Sequence, residues 1–316
     1  MVTLVAIVLA VSGYAGMQYI SFQNALSKMN SNDKGEVLPV VDKEIITDPF
    51  SVLLLGIDER EHDSGRSDTM IVLTVNPKEG TVKMLSIPRD TRTDIIGNGT
   101  TEKINHAYAR GGVEMTIDTV ENLLNIPIDY HVTVNMEGFL SVVDTIGGIT
   151  INNDMDLTFR QYDFPQGEVT LSGEEALVFS RIRYEDPRGD WGRQIRQRQL
   201  IEALMAEAKN PQILLELSEI FEVLGDNIRT NFTMNEITSL PQLYKQLDKN
   251  IEQMSFEKGY GEKISGLWYY ILDNEELTSI QTTLRVHLGE QQPESESMQQ
   301  EDIDIQQEDT QQEIQY

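Results

Sequence analysis

The sequence predicts an α/β protein: a mixed central β-sheet flanked by helices, preceded by one N-terminal transmembrane helix. Three observations carry this. Short apolar, β-branched runs bounded by turn residues read as strands. Other segments carry apolar residues at helical spacing, and the two kinds interleave without a fixed period. The first twenty residues, "MVTLVAIVLAVSGYAGMQYI", contain no charge at all.

That opening run is close to the roughly 20 apolar residues that cross a bilayer. A buried core helix or a cleavable signal peptide would be the alternatives. A signal peptide carries a basic leader and an A-x-A cleavage site, and the run has neither. No basic residue precedes Val2 to set an orientation, so the natural N-terminus is expected to begin earlier. The expected organisation is a membrane anchor over 1–21 and a juxtamembrane linker over 22–48. A large domain outside the membrane covers 49–288, and a tail covers 289–316.

Within the domain, "FSVLLLGID" (50–58), "DTMIVLTVN" (68–76) and "TVKMLSIPRD" (81–90) read as strands, with "NPKEG" (76–80) as the turn of a hairpin. Helical spacing takes over at "VEMTIDTVENLLN" (113–125), and "HVTVN" (131–135) returns to strand alternation. "MEGFLSVVDTIGG" (136–148) reads as a helix closed by glycine. "SGEEALVFSR" (172–181) opens with Ser172 and Glu175 in capping-box spacing. A further helix is predicted from Arg193 to about Lys209, stopped by Asn210 and Pro211. Then follow a helix near 235–247, strands near 251–257 and 264–272, and a helix near 275–287.

Composition narrows the function. The absence of cysteine excludes disulfides, thiolate metal sites and cysteine nucleophiles. A net charge of −27 argues against non-specific nucleic-acid binding, which requires neutralising phosphate. The Gln/Glu-rich tail contributes nine of the carboxylates and no Lys or Arg, and its composition is that of a disordered segment. Phosphate loops ending in Lys-Ser/Thr, G-x-S-x-G and H-E-x-x-H are all missing, and the four histidines are scattered.

Three clusters remain. Asp58 and Asp68 stand ten residues apart, after one predicted strand and before the next. If those strands are neighbours, both carboxylates lie near sheet ends and suit a hard cation such as Mg²⁺; otherwise they merely cap turns. Arg89 and Arg92 follow a strand whose exit is fixed by Pro88, and such loop arginines are often simply solvated. The third cluster, "RIRYEDPRGDWGRQIRQR" (181–198), packs six arginines and no lysine into an acidic protein. Helical spacing groups Arg193 and Gln197 with Leu200 and Leu204 on the inward face, whereas Arg198 and Glu202 look like an exposed i,i+4 pair. Arg181 and Arg183 alternate along one side of an extended segment if the preceding helix has ended by then. An inward guanidinium needs an anion, and its fork fits phosphate oxygens. The cluster reads as a phosphate or pyrophosphate site; the alternative is internal pairing with Glu185, Asp186 and Asp190.

Taken in order, "LLLGID", "GRSDTMIVLTVNP", "MLSIPRDT", "KINHAYARGG", "NMEGFLSVVDTIGGI", "LSGEEALVFSRIR" and "GDWGRQIRQRQLI" resemble the LytR–CpsA–Psr family of cell-wall enzymes, from about Leu53 to Glu202. The resemblance implies a single N-terminal anchor. It also implies a phosphotransferase moving a glycopolymer phosphate from a polyprenyl-pyrophosphate carrier to peptidoglycan, at the 6-hydroxyl of N-acetylmuramic acid. It assigns Asp58 and Asp68 to Mg²⁺ (or Mn²⁺), and Arg66, Arg89 and, less directly, Arg92 to the phosphates. Arg181, Arg183, Arg193 and Gln197 would grip the pyrophosphate from the other side, with Asp190 orienting them. On this reading Asp68, Arg89 and Arg193 carry the chemistry, and the partners are the lipid-linked polymer, peptidoglycan and the bilayer. Hydrolysis of the same carrier, or binding without turnover, uses the same residues. A transcriptional role lacks any helix-turn-helix pattern.

Overall fold

The computed structural model describes residues 20–30, 47–57, 65–207 and 251–290. Between 223 and 247 it also describes 223, 225, 227–233, 235–237, 239–240, 243 and 247. In chain order the elements are β1 (Phe50–Ile57), β2 (Ser67–Asn76), β3 (Thr81–Ser86), β4 (Arg92–Ile95), β5 (Thr100–Lys103) and α1 (His106–Leu124). They continue with β6 (Tyr130–Asn135), α2 (Met136–Thr145), β7 (Ile149–Asn153), β8 (Leu157–Phe159), β9 (Tyr162–Phe164) and β10 (Gly167–Leu171). The last are α3 (Gly173–Arg181), α4 (Asp190–Glu207), β11 (Ile228–Thr230), β12 (Ile251–Ser255), β13 (Tyr260–Ile264), β14 (Leu267–Ile271) and α5 (Asn274–His287).

Six strands form one mixed sheet in the order β11-β6-β1-β2-β3-β12. β1 pairs antiparallel with β2 and parallel with β6, while β3 pairs antiparallel with β2 and parallel with β12. The carboxyl ends of β1, β3, β6 and β12 therefore share one rim, and β2 begins there. Both faces of the sheet are covered, which is why its central strands read as nearly continuous apolar runs. On one face Leu53, Leu55, Met70, Val72 and Leu85 pack with Val120 and Leu124 of α1 and Ile280 and Leu284 of α5. On the other, Val52, Val75, Val82 and Tyr130 pack with Phe232 and Leu243. A third core joins α2, α3 and α4 to β7 and β10 through Val143, Ile149, Phe179, Leu171 and Leu200.

The expected mixed α/β architecture is present, and several elements refine it. The hairpin across 76–80 and the Ser172/Glu175 capping box are both there. The helix expected at Val113 begins earlier, at His106, and kinks at Gly111 and Gly112, where Gly112 takes φ +68°. The strand expected over 264–272 is present as β14, and β13, which was not expected, precedes it to make a hairpin turning through Ser265 and Gly266 at φ 49° and 86°. The short strands β4, β5 and β7–β10 carry no long apolar run to announce them.

Residues 1–19 and the tail beyond 290 lie outside the described residues, and so does the anchor expected over 1–21 except for its last two positions. Among the described residues no helix is long and apolar enough to cross a membrane. Residues 20–29, placed largely in a linker on composition, are helical. Ala25 and Leu26 are buried there, and Asn30 Nδ2 donates to the Phe232 carbonyl at 3.1 Å.

Candidate active site

The site begins where β2 starts and β3 ends. Asp68 is the second residue of β2, and Arg89 follows β3 across a turn closed by Thr91 N donating to the Pro88 carbonyl at 3.0 Å. The amide of Ile87 donates to the Met70 carbonyl and that of Asn105 to the Arg89 carbonyl, so the turn is tied down on both sides. These constraints deliver Arg89 Nη1 to Asp68 Oδ1 at 2.8 Å, with the two side chains 24% and 29% exposed. Next to them the Ser67 hydroxyl is buried and has no hydrogen-bond partner. Asp58 lies outside the described residues. Ile57, which precedes it in the chain, pairs with Ser67, which precedes Asp68. Arg66 and Arg92 are solvent-exposed, Arg92 on the outer side of β4.

The arginine cluster divides into two roles. Arg188 and Arg196 are internal pairs, as the alternative reading had it. Arg196 is fully buried; its Nη1 donates to Asp186 Oδ2, its Nε to the Phe179 carbonyl and its Nη2 to the Ile182 carbonyl. It thereby satisfies carbonyls at the C-terminal end of α3 that the helix itself leaves open. Arg188 donates to Asp186 through Nε and Nη2 and to Asp154 through Nη1 and Nη2. Burial drives the Asp186 carboxyl up, but the hydrogen bonds from Arg188 and Arg196 outweigh it and hold the pKa at about 2. A Cβ on Gly192 would overlap the Asp186 carboxylate, which is why glycine stands there.

The others face different surroundings. Arg181 is the last residue of α3 rather than part of an extended segment. It is exposed and Arg183 only partly so, on either side of the fully buried Ile182; Arg183 sits 5.4 Å from the Tyr184 ring. Arg193 is buried in the first turn of α4 and Gln197 half-buried one turn on, as the inward face required. Asp190 is the first residue of α4, and its side chain lies outside the described atoms. Leu200 is buried, whereas Leu204 is only partly so.

Arg198 overturns its expectation. It is buried rather than exposed, with Nη1 on Ser86 Oγ at 3.0 Å and Nε on Gln253 Oε1 at 3.0 Å. Glu202 is reached only at second hand, through Gln253 Nε2 donating to its Oε1. The physical reason is that α4 lies between two bodies. One flank packs on α3 and β7, and the other meets the rim of the sheet at β3 and β12. A one-face helical reading could not see the second contact. Ser86 is three residues before Arg89, so Arg198 fixes the arginine helix to the strand end that carries the Asp68–Arg89 pair.

The Asp68–Arg89 pair, with α4 fastened to the same strand end through Arg198 and Ser86, sits in a chain that matches the LytR_cpsA_psr family model over residues 16–286. The chain belongs to the LytR–CpsA–Psr family. It is 46% identical over 284 residues to the polyisoprenyl-teichoic acid–peptidoglycan teichoic acid transferase TagU of Bacillus subtilis, covering 89% of this chain and 92% of that protein. The crystal structure of B. subtilis TagU superposes with a TM-score of 0.65 at 45% identity, covering 77% of this chain and 98% of the other. The structure of TagT bound to LIIa-WTA gives 0.67 at 32% identity, covering 82% and 99%.

For a metal, the described donors are sparse: among the described residues no group of three or more His, Asp or Glu side chains is gathered. Asp68 offers the hard oxygen that Mg²⁺ prefers, at the rim where the chain runs on from Ile57 into Asp58. The donor chemistry fits that ion, with most of its coordination left to substrate and water.

Proposed function

We propose that this chain is a membrane-anchored phosphotransferase of the cell wall. It would move a glycopolymer phosphate from a polyprenyl-pyrophosphate carrier to peptidoglycan, at the 6-hydroxyl of N-acetylmuramic acid. The observation that carries this is the Asp68–Arg89 pair at the rim of the sheet, with the arginine-bearing helix α4 fastened to the same strand end through Arg198 and Ser86. The names of the relatives, TagU as a teichoic acid transferase and TagT bound to LIIa-WTA, point the same way. The anchor over 1–21 keeps the site near the bilayer that holds the carrier.

Charge dictates the mechanism. As the pyrophosphate bond breaks, negative charge grows on the departing phosphate. Arg89, Arg193 and Arg183, with Arg66, Arg92 and Arg181 nearer solvent, stabilise it by fixed guanidinium groups that need no reorganisation. Gln197 adds a neutral donor on the face of Arg193. Asp68 takes the proton from the attacking sugar hydroxyl, directly or through a water. Asp58 and Asp68 would hold Mg²⁺ (or Mn²⁺), which supplies Lewis-acid neutralisation of the pyrophosphate oxygens. No covalent enzyme intermediate is required, in keeping with the absence of cysteine and of any serine–histidine nucleophile motif.

The test is a transfer assay on the full chain. A labelled polyprenyl-pyrophosphate saccharide is mixed with peptidoglycan oligomers, with Mg²⁺ or with chelator, beside Arg193→Ala. Label should pass to the glycan only with metal and intact Arg193, the variant losing about a hundredfold or more in rate while melting close to the parent. Release of free sugar phosphate would make the protein a hydrolase; bound but unchanged lipid would make it a binding protein.

A further inference from the structure

The hairpin β13–β14 carries three of the exposed large apolar side chains of the described residues. Tyr260, Leu267 and Trp268 are 56%, 53% and 53% exposed. Two glycines shape it. A Cβ on Gly261 would overlap the Trp268 indole, and a Cβ on Gly259 would lie 2.5 Å from the Tyr270 ring. Glycine at these alternate positions lets the indole and the phenol lie flat across the opposing backbone. Tyr270 is anchored, its hydroxyl donating to the Phe256 carbonyl at 2.8 Å, and Trp268 keeps a face open to solvent.

This platform is joined to the site. Tyr270 N donates to the Asp90 carbonyl at 2.9 Å, and Thr91 and Tyr270 form a parallel bridge. Asp90 is the residue after Arg89. Below, Lys103 Nζ binds Asp90 at 2.7 Å and lies 6.0 Å from the Tyr269 ring, so the junction is pinned twice. Trp268 stands two residues along β14 from that junction, about 7 Å by strand geometry.

We infer that β13–β14 is the acceptor platform of the transferase proposed above: a neutral sugar ring of the glycan strand stacks on Trp268, so that a neighbouring residue of the same strand reaches Asp68 and Arg89. The inference rests on that functional reading for the identity of the acceptor. A flat, open aromatic ring matches the apolar C–H face of a pyranose. The hairpin's charges, Glu257 and Glu262 against Lys258 and Lys263, cancel, which suits an uncharged sugar backbone and offers no attraction to an anionic bilayer. Its turn is Ser265-Gly266, and the exposed Leu267 and Trp268 follow it directly.

The experiment uses the full chain in detergent with purified peptidoglycan sacculi, scored by co-sedimentation, beside flotation with phosphatidylglycerol vesicles. Trp268→Ala should weaken sacculus binding roughly fivefold to tenfold and raise the KM for glycan oligomers to match, leaving the KM for the lipid donor unchanged. Trp268→Phe should restore most of the binding. Gly261→Ala keeps the indole but lifts it off the strand, and should show the same loss. Unchanged sacculus binding in both Trp268→Ala and Gly261→Ala, or a loss confined to vesicles, would overturn the inference. Because binding is read without turnover, a Trp268-dependent complex would survive even if the chain transferred nothing, so the two proposals fail separately.

Discussion

His131, in the middle of the sheet, is the residue whose burial has the plainest consequence in solution. Its Nδ1 has no hydrogen-bond partner, and burial alone pulls its pKa from 6.5 down to about 4. The unfolded chain therefore takes up a proton first. Stability is highest above pH 6.5 and falls as the pH drops towards 4, by about 3 kcal/mol from this group. His287, which sits between the hydroxyls of Thr74 and Thr81 at 2.7 and 2.8 Å, is also lowered, by burial and then by Lys83. It adds in the same direction. Asp186 acts in a second, lower window, between its ordinary value near 3.8 and about 2, where its bonds to Arg188 and Arg196 are lost to protonation. Thermal melts from pH 8 to 4 should show the first decline, and His131→Gln should flatten part of it; an equally steep decline in that variant would contradict the assignment.

At the scale of elements, α4 is held by two unlike devices. Leu200 fills the core shared with α2 and α3, and Asp186 ties the buried Arg196 to the loop that follows Arg181 and carries Arg183. Leu200→Ala leaves a cavity and should cost about 2–5 kcal/mol. Asp186→Asn strands a buried guanidinium and should cost about 3–5 kcal/mol. Urea unfolding distinguishes this from a surface pair, whose loss costs about 1 kcal/mol or less. This helix also marks what the sequence could convey. Arg193 and Gln197 follow from the spacing of Leu200 and Leu204, because one buried face imposes a 3.6-residue rhythm. Arg198 does not follow, since its burial depends on Ser86 and Gln253, 112 and 55 residues away in the chain. Likewise the capping box at Ser172 is local and legible, while the Asp186–Arg196 pair is one of several pairings the cluster's composition would allow.

For the whole molecule, the sheet was legible because its strands are buried on both faces and so appear as apolar runs. The hairpins β4–β5 and β8–β9, and β13 of the third, were not, because these strands are short and half-polar and their pairing is set by turns; the apolar run of β14 was. The rim that brings Asp68, Arg89 and Arg198 together belongs to neither class: it exists only once strand order is known. The central proposal is that this rim holds a lipid-linked pyrophosphate. The direct measurement is a crystal structure of the chain with a polyprenyl-pyrophosphate saccharide and Mg²⁺. The account predicts the pyrophosphate within hydrogen-bond distance of Arg89 and Arg193, with the ion on Asp68. A pyrophosphate bound elsewhere, for instance in the cleft lined by Lys83, Thr282 and His287 at the far end of the sheet, would contradict it.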